Sequence, residues 1–333
     1  MHGFNTRLNK LARAAVFSAL PIGAAGPLFA VEGGLGAYFL GTRDTLSGIV
    51  PPPGSYYSFT YDYLEGSVQG LSVGGLPIRA DADIELNLYR FGFTYAFDST
   101  LWGGTPAINI TIPFPDVSLN YTAITPPLAG LGVEDETSGI GDISFTGLVG
   151  WHRGNLHYSG GLTVYAPTGR YEAATIDVPN RTIDALSVGK NVWSFQPAFA
   201  VTWLNPETGF EASGAASLLF STKNSTTDYQ TAPAIQLEGA LVQRLRSGWG
   251  FGITGYHYQQ IDDDSGRGAD ATRAALGASS LRAQVSGIGP IITYSGGELF
   301  GGDVSLKVKY INEFDAKRRL ESDVFTFNLS LAF

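Results

Sequence analysis

The last nine residues of the chain alternate in polarity at every position. From Phe325 to Phe333 each odd-numbered residue is large and apolar, whereas the residues between them are small or polar. Alternation with a period of two predicts a β-strand that has one apolar face and one polar face. The sequence contains no continuous apolar run of about 20 residues, which a membrane-spanning helix requires. Strands of this kind can still cross a bilayer when they close into a barrel, because closure satisfies every backbone hydrogen bond.

The same alternation recurs along most of the chain and predicts about twelve strands. They lie at 55–69, 82–97, 105–119, 140–152, 155–166, 192–204, 209–222, 233–246, 248–261, 281–295, 303–313 and 324–333. In the strand at 82–97 the apolar residues change from even to odd positions. Because a shift of one residue exchanges the two faces of a strand, we expect a β-bulge there.

The connections between the predicted strands sort by length. Short connections follow the second, fourth, sixth, eighth and tenth strands, and long polar connections such as 120–139 and 167–191 follow the third, fifth, seventh and ninth. Short turns at one end and long loops at the other are typical of bacterial outer-membrane barrels, whose short turns face the periplasm. We therefore interpret the chain as an all-β protein, a membrane antiparallel up-and-down β-barrel of about twelve strands at 55–333.

Aromatic residues support this interpretation. Four tryptophans lie beside the short turns, and together with the terminal phenylalanine they predict an aromatic belt at one membrane interface. The belt consists of Trp102, Trp151, Trp203, Trp249 and Phe333. Core tryptophans of a soluble β-sandwich are the alternative.

The N-terminus has the features of an export signal. Basic residues precede a short apolar stretch, and Leu28-Phe29-Ala30 is a cleavage site of the expected kind, so we predict a signal peptide at 1–30. Residues 31–54 are rich in glycine and end in a run of prolines. This segment could plug the lumen of the barrel or form a periplasmic tail. The net charge of −9 argues against nucleic acid as a partner.

Charged and polar residues on the predicted inward faces are candidates for the lumen. They are Asp62, Glu85, Asn109, Asp142, Thr202, Glu238, Tyr256, Tyr258, Lys307 and Lys309. These side chains could line a path for solutes or brace the barrel wall. Prolines inside strands remove donors from the ladder and predict kinks or local gaps at Pro113, Pro115, Pro197 and Pro290. One such gap could be a lateral exit through which an apolar solute leaves the barrel.

No enzyme, cofactor or metal site is predicted. The chain has no cysteine, and no nucleophile elbow of the G-x-S-x-G type between a strand and a helix is predicted. Some outer-membrane barrels are phospholipases that carry Ser and His on one strand face, and His257 lies on the predicted lipid-facing side. The sequence alone does not supply a serine partner for it. The acidic run at 262–264 lacks the spacing of a calcium-binding EF-hand loop and is interpreted as a solvated loop.

Several motifs, in this order, resemble one family of outer-membrane proteins associated with the meta-pathway of phenol degradation. They are GAYFLGTR and PPPGSYY within 36–57, GIGD at 139–142, VYAPTGRY at 164–171, NVWSFQP at 191–197, NSTTDY at 224–229 and GYHYQQIDDDSG at 255–266. The resemblance covers nearly all of the chain after 1–30. It implies a channel for passive uptake of small hydrophobic or aromatic compounds, and it assigns no catalytic residue.

The resemblance to outer-membrane barrels also implies partners. The expected ones are membrane lipid, lipopolysaccharide, small hydrophobic or aromatic solutes, and the barrel-assembly machinery, which reads the terminal aromatic residue Phe333. The last strand of such a barrel is expected to pair with the first. A structural or adhesive barrel that acts through its long loops remains the alternative function.

Overall fold

The computed structural model describes residues 36–72, 79–123, 132–172, 175–177, 182–184 and 186–333. The predicted signal peptide at 1–30 and the first residues of the segment 31–54 lie outside these ranges. Within them, every helix is too short or too polar to cross a membrane.

The described residues form strands and one helix in this order. They are β1 (Gly54–Ser72), β2 (Arg79–Ala96), β3 (Thr105–Ala123), β4 (Gly132–Ser138), β5 (Ser144–Arg153), β6 (Leu156–Tyr165), β7 (Thr175–Asp177), β8 (Thr182–Asp184), β9 (Ser194–Leu204), β10 (Phe210–Ser221), β11 (Ala234–Arg244), β12 (Trp249–Gln260), α1 (Arg267–Leu276), β13 (Gln284–Leu299), β14 (Gly302–Lys317) and β15 (Glu321–Ala332). The predicted strands all correspond to members of this series, whereas β4, β7, β8 and α1 lie within predicted loops.

Twelve of the strands close into an antiparallel barrel. Each pairs with its neighbour in the chain, with β4, β7 and β8 left out of the ring, and β15 returns to pair with β1. Tyr57 lies opposite Leu331 and Tyr63 opposite Phe325. The predicted closure of the last strand against the first is therefore confirmed.

The connections divide the barrel into a short-turn end and a long-loop end. At the short-turn end, Gly154 takes a positive φ of 59° in the turn from β5 to β6, a conformation that glycine adopts without strain. At the long-loop end, β4 extends the pairing of β3, β7 and β8 form a hairpin, and α1 lies between β12 and β13. The barrel wall is thus regular, and the additional elements cluster at one end.

The outer face of the wall carries the apolar residues of the alternating strands. Phe91, Phe251, Ile253 and Phe325 are among the exposed large side chains on this face. An exposed apolar band on a closed barrel is the surface that a bilayer covers.

The residues predicted as an aromatic belt lie at the short-turn end. Trp203 and Trp249 are exposed on the outer face, and Phe333 packs edge-on against Tyr57 with ring centroids 5.7 Å apart. The indole Nε1 of Trp151 donates to the backbone oxygen of Trp102 at 3.0 Å, which links two neighbouring turns of this end.

The predicted bulge in β2 is wrong. Its pairing with β1 runs in one register from Gly54 opposite Ala96 to Val68 opposite Ala82, and its pairing with β3 is continuous as well. The even-numbered residues Ile84, Leu86 and Leu88 are buried because they face the interior. The interior is therefore apolar toward the long-loop end of β2. The change of phase in the sequence reflects a change from apolar to polar residues on the inward face.

The same finding corrects the position of Glu85. It was predicted to line the lumen because its neighbours Ile84 and Leu86 were assigned to the lipid-facing side. With those neighbours inside, Glu85 is exposed on the outer face, directly opposite Glu65 of β1. This pair lies toward the long-loop end of the strands.

The segment at 36–53 lies inside the barrel and is called the plug here. It contacts strands on opposite sides of the wall, including β9, β10 and β14. Gly48 fits where a side chain could not, because a Cβ there would lie 2.5 Å from the backbone nitrogen of Thr202. A barrel of about twelve strands has a narrow lumen, and a short segment fills much of it.

Candidate functional site: the barrel interior

A buried ion-pair cluster fixes the middle of the plug. The carboxylate of Asp44 accepts hydrogen bonds from Lys307 Nζ at 2.7 Å and from Lys309 Nζ at 2.9 Å. Lys309 also donates to the backbone oxygen of Gly41. Asp44 is 1% exposed, so its charge depends on the two ammonium groups for compensation.

A second polar cluster attaches the plug to the strands β9 to β11. Arg244 pairs with Glu211 at 2.6 Å, and Glu211 accepts hydrogen bonds from the side chain of Thr45 at 2.7 Å and the backbone N–H of Leu46 at 2.7 Å. Thr202 accepts the backbone N–H of Gly48 at 3.0 Å. These bonds hold one side of the plug against the wall.

Glu238 contributes to the same side. Its Oε2 accepts the backbone N–H of Arg43 at 2.8 Å, and the side chain is 7% exposed. The guanidinium of Arg43 lies 4.8 Å from the centroid of the Tyr38 ring, and its Nη2 donates to Thr163 at 3.3 Å.

The other side of the plug borders a cavity of about 550 Å³, called the inner cavity here. It is lined by β1, β2, β3, β5, β6, β14 and β15, mostly in the half of the barrel near the short turns. Its polar lining includes Ser58, Thr60, Asn109, Thr111 and Asn328. Asn109 donates to Thr94 at 2.9 Å. The strand alternation points these small polar side chains inward, so the space beside the plug stays open.

Arg90 lies at the boundary of the inner cavity that is nearer the long loops. Its guanidinium pairs with Asp62 at 2.7 Å, and Thr326 donates to the other carboxylate oxygen of Asp62 at 2.8 Å. Arg90 also donates to Thr42 of the plug at 3.1 Å. Asp62 is fully buried behind the guanidinium, so Arg90 is the member of this pair that faces the cavity.

A second cavity of about 150 Å³, called the outer cavity here, lies nearer the long loops. Its lining is largely apolar and includes Leu64, Ile84, Leu86, Val117 and Val324. The two cavities share part of their lining, namely Ala37, Tyr38, Phe39, Leu88, Pro113 and Asp142. An apolar space and a polar space therefore meet beside the plug.

Tyr256 and Tyr258 face the interior on β12. Tyr256 donates to Glu313 at 2.7 Å and lines the outer cavity. Tyr258 is buried beneath Arg319, whose guanidinium lies 4.8 Å from the ring centroid. Tyr256 thus offers an aromatic face to an apolar solute in the outer cavity. Tyr258 instead packs within the wall near the long loops.

Asp142 lies in the connection before β5, not within a strand as predicted. Its carboxylate accepts the backbone N–H groups of Gly169 at 2.9 Å and Lys190 at 2.8 Å. It therefore joins two long connections at the boundary of both cavities.

The prolines of β3 mark a seam in the wall. β3 pairs with β5 from Thr105 to Thr111 and with β4 from Asp116 to Thr122. Between these stretches, the carbonyl of Pro113 accepts the N–H of Gly141 at 2.9 Å, and that of Pro115 accepts the N–H of Gly139 at 3.2 Å. The outer cavity touches Pro113, Pro115 and Gly141, so it lies directly behind this seam.

The other two strand prolines have smaller effects. Pro197 of β9 and Pro290 of β13 are exposed on the outer face. The pairing of β9 with β10 and of β13 with β14 is interrupted beside them and resumes in the same register. These prolines interrupt the hydrogen bonding between strands locally and leave the register of the strands unchanged.

The structure supplies a serine for His257. Ser286 lies opposite it on β13, and the hydroxyl is 2.9 Å from the imidazole Nδ1 on the outer face. Among the described residues, no group forms a hydrogen bond with the other ring nitrogen. Without an orienting partner this pair is an incomplete version of a catalytic triad.

Sequence reasoning missed Arg43 and Arg90. Arg90 follows Leu86 and Leu88 at the same inward phase, and an uninterrupted register for β2 would have placed it in the lumen. Arg43 and Asp44 lie in a segment without periodicity. Their partners are distant in sequence, so no local signal identifies them.

The closed wall with its apolar outer face, the plug and the two cavities define a membrane β-barrel whose lumen is partly filled by its own N-terminal segment. The chain belongs to the family described as "MetA-pathway of phenol degradation", whose model matches residues 66–329. No protein of curated function matches the sequence.

Two solved structures illustrate the likeness in fold. An outer membrane channel from Pseudomonas putida F1 is 14% identical, with a TM-score of 0.63 over 89% of this chain and 100% of that chain. The CymD monoaromatic hydrocarbon channel is 9% identical, with a TM-score of 0.45 over 92% of this chain and 98% of that chain. At such an identity the first likeness shows the fold alone.

Proposed function

We propose that this protein is a channel of the bacterial outer membrane that passively admits small hydrophobic or aromatic compounds. The observation that carries the proposal is the apolar outer cavity, which adjoins the polar inner cavity beside the plug and shares lining residues with it. Membership of the phenol-degradation family supports the same class of solute. The short turns then face the periplasm, and the long loops face the exterior.

The size and lining of the outer cavity suit an aromatic ring. Its volume is about 150 Å³, and an apolar protein cavity of about that size binds benzene. Leu86, Leu88 and Val117 would contact such a ring, and the edge or face of Tyr256 would add an aromatic contact. A water-filled pore would offer an apolar solute no comparable interaction.

The seam at Pro113 and Pro115 is the place where a solute could leave sideways into the membrane. A disulfide can test this exit, because a Cβ at Gly141 would lie 3.2 Å from the Cγ of Pro113. The chain has no native cysteine, so in the double variant Pro113→Cys/Gly141→Cys only one disulfide can form within the chain. Oxidation should then lower uptake of toluene, and reduction should restore it. Unchanged uptake in the oxidised form would exclude this exit.

The proposed function itself is tested in whole cells, because lipopolysaccharide is the barrier that apolar solutes must cross. Cells that express the protein should take up labelled toluene and phenol faster than cells without it, and should gain no uptake of a disaccharide. If uptake of all solutes equals that of the control cells, a structural or adhesive barrel that acts through its long loops is the better account.

The proposal includes no catalysis. Ser286→Ala should leave toluene uptake unchanged, and the purified protein should release no fatty acid from phospholipid vesicles. Release that the substitution abolishes would identify the Ser286–His257 pair as an active site. The expected partners are membrane lipid, lipopolysaccharide and the barrel-assembly machinery, to which the exposed terminal Phe333 is accessible.

A further inference from the structure

Four basic side chains border the inner cavity, and the carboxylates that pair with three of them are hidden behind. Arg90, Lys307 and Lys309 all line the cavity, whereas their partners Asp62 and Asp44 are only 0% and 1% exposed and do not. A solute in the cavity therefore meets the cationic member of each pair. Favourable charge at close range is strong in such a space because little water screens it.

The fourth cation, Arg43, has an unused donor. Its Nη1 is buried and has no hydrogen-bond partner among the described residues, although Nη2 donates to Thr163. Leaving a buried donor unpaired is costly, and each such donor requires an explanation. Because Arg43 borders the inner cavity, a carboxylate that moved in against its guanidinium would satisfy this donor.

Acidic groups near the cavity do not cancel this preference. Among the described residues that line it, Asp142 is the one carboxylate, and both of its oxygens already accept backbone N–H groups. Glu238 accepts the backbone N–H of Arg43 through Oε2 and does not line the cavity. Its Oε1 is buried and has no hydrogen-bond partner among the described residues.

The basic groups also lie next to the apolar space. Arg90 and Leu88 follow each other on the inward face of β2, and residues two apart on a strand are separated by about 7 Å. That spacing matches a carboxylate attached directly to an aromatic ring. The ring would lie against Leu88 and Phe39 at the junction of the cavities, with the carboxylate beside the guanidinium groups of Arg43 and Arg90.

We propose that the channel selects small aromatic carboxylates over neutral and cationic aromatic compounds, and that Arg43 and Arg90 recognise the carboxylate. This inference rests on the proposed function and narrows its substrate class. Arginine suits the role because its planar donors match the two oxygens of a carboxylate.

The test measures zero-current potentials of the purified protein in planar bilayers with a gradient of sodium benzoate. Benzoate should permeate roughly tenfold better than sodium, since hydrogen bonds to charged groups discriminate at least to this extent. It should also permeate better than acetate, which has the same charge and no ring. Equal permeation of benzoate and sodium, or of benzoate and acetate, would overturn the proposal.

Variants assign the selectivity to residues. Arg43→Gln should reduce the preference for benzoate several-fold. The pair Arg90→Gln/Asp62→Asn should do the same, because the second substitution avoids leaving a buried carboxylate unpaired. Arg282→Gln, in the connection between β12 and β13, is the matched control and should behave like the wild type. If the lumenal variants retain the full preference, these arginines do not recognise the carboxylate.

The channel function and the preference for aromatic carboxylates are tested by different measurements. Benzyl alcohol and toluene uptake in whole cells reports the channel itself. Uptake of these neutral compounds without any preference for benzoate would refute the substrate class and leave the channel function in place. Absence of uptake for every aromatic compound would refute the channel function.

Discussion

The same strands build the half of the barrel interior near the long loops, the outer half, and the half near the short turns, the inner half. The two halves differ in the side chains that these strands direct inward. Near the long loops the inward residues are apolar, as with Leu64 on β1 and Leu86 on β2. Nearer the short turns the same faces carry Asp62 and Arg90. The change occurs within one uninterrupted register, so it is encoded by composition and not by a break in the sheet.

The plug follows the same division. Its residues Tyr38 and Leu40 pack with the apolar cluster of the outer half, whereas Asp44 is held by the lysines of the inner half. A single short segment therefore fits two different environments. If this comparison is correct, substitutions that remove charges should disturb the inner half. Substitutions that replace apolar residues by polar ones should disturb the outer half.

The largest effect is expected from Asp44→Ala. It leaves Lys307 and Lys309 close together without their shared carboxylate, and breaking a buried ion pair in this way costs about 3–5 kcal/mol. The plug should detach from β14, which would raise single-channel conductance in planar bilayers and expose the segment to protease.

The matched control removes all three charges together, as Asp44→Ala/Lys307→Met/Lys309→Met. This variant should keep the plug in place and conduct nearly as the wild type does. Equal conductance of Asp44→Ala and the wild type would mean that the ion pairs do not hold the plug.

A smaller effect is expected in the outer half. Leu86→Ser/Leu88→Ser makes the lining of the outer cavity polar and removes apolar area that a ring would contact, so toluene uptake should fall roughly tenfold. Glu85→Gln on the same strand faces outward and should leave uptake unchanged. Similar losses in both variants would indicate a general defect in folding and would contradict a specific role for the cavity.

The smallest effect concerns the loops above the outer half. Asp264 is buried between the β10–β11 and β12–β13 connections, where it accepts hydrogen bonds from Tyr229 at 2.5 Å and Gln260 at 2.7 Å. Burial raises the pKa of its carboxyl from 3.8 to about 7, against the opposing effect of these donors.

Because the pKa is higher in the folded state, this carboxyl stabilises the folded loops when it is protonated. The contribution is complete below pH 3.8 and is lost as the pH rises through about 7. Hydrogen exchange at 262–283, corrected for its intrinsic pH dependence, should accelerate over that interval. In Asp264→Asn this acceleration should be absent, and its persistence would assign the effect to another group.

The sequence predicted the wall of the barrel well because lipid imposes alternation on every strand. Period-two patterns located the twelve strands, and the lengths of the connections separated the two ends of the barrel. The closure of β15 on β1 was expected from the resemblance to outer-membrane barrels. The interior was harder to predict, since either polar or apolar residues can face a lumen that contains a plug. Glu85 was misplaced for this reason, and the even-numbered apolar residues of β2 were assigned to the wrong face.

The contacts of the plug could not be predicted from local patterns. Asp44 and Lys309 are paired although 265 positions separate them in the chain. Neither Arg43 nor Asp44 belongs to a periodic segment. The loop elements β4 and α1 were missed as well, because short polar stretches carry weak signals for secondary structure.

The most direct test of the central claim is a crystal structure with 4-bromobenzoate, in which anomalous scattering locates the bromine. We expect the bromine among the apolar residues of the outer cavity, near Leu86 and Leu88, with the carboxylate directed toward Arg43 and Arg90. A bromine found only on the lipid-facing surface or among the long loops would contradict the account.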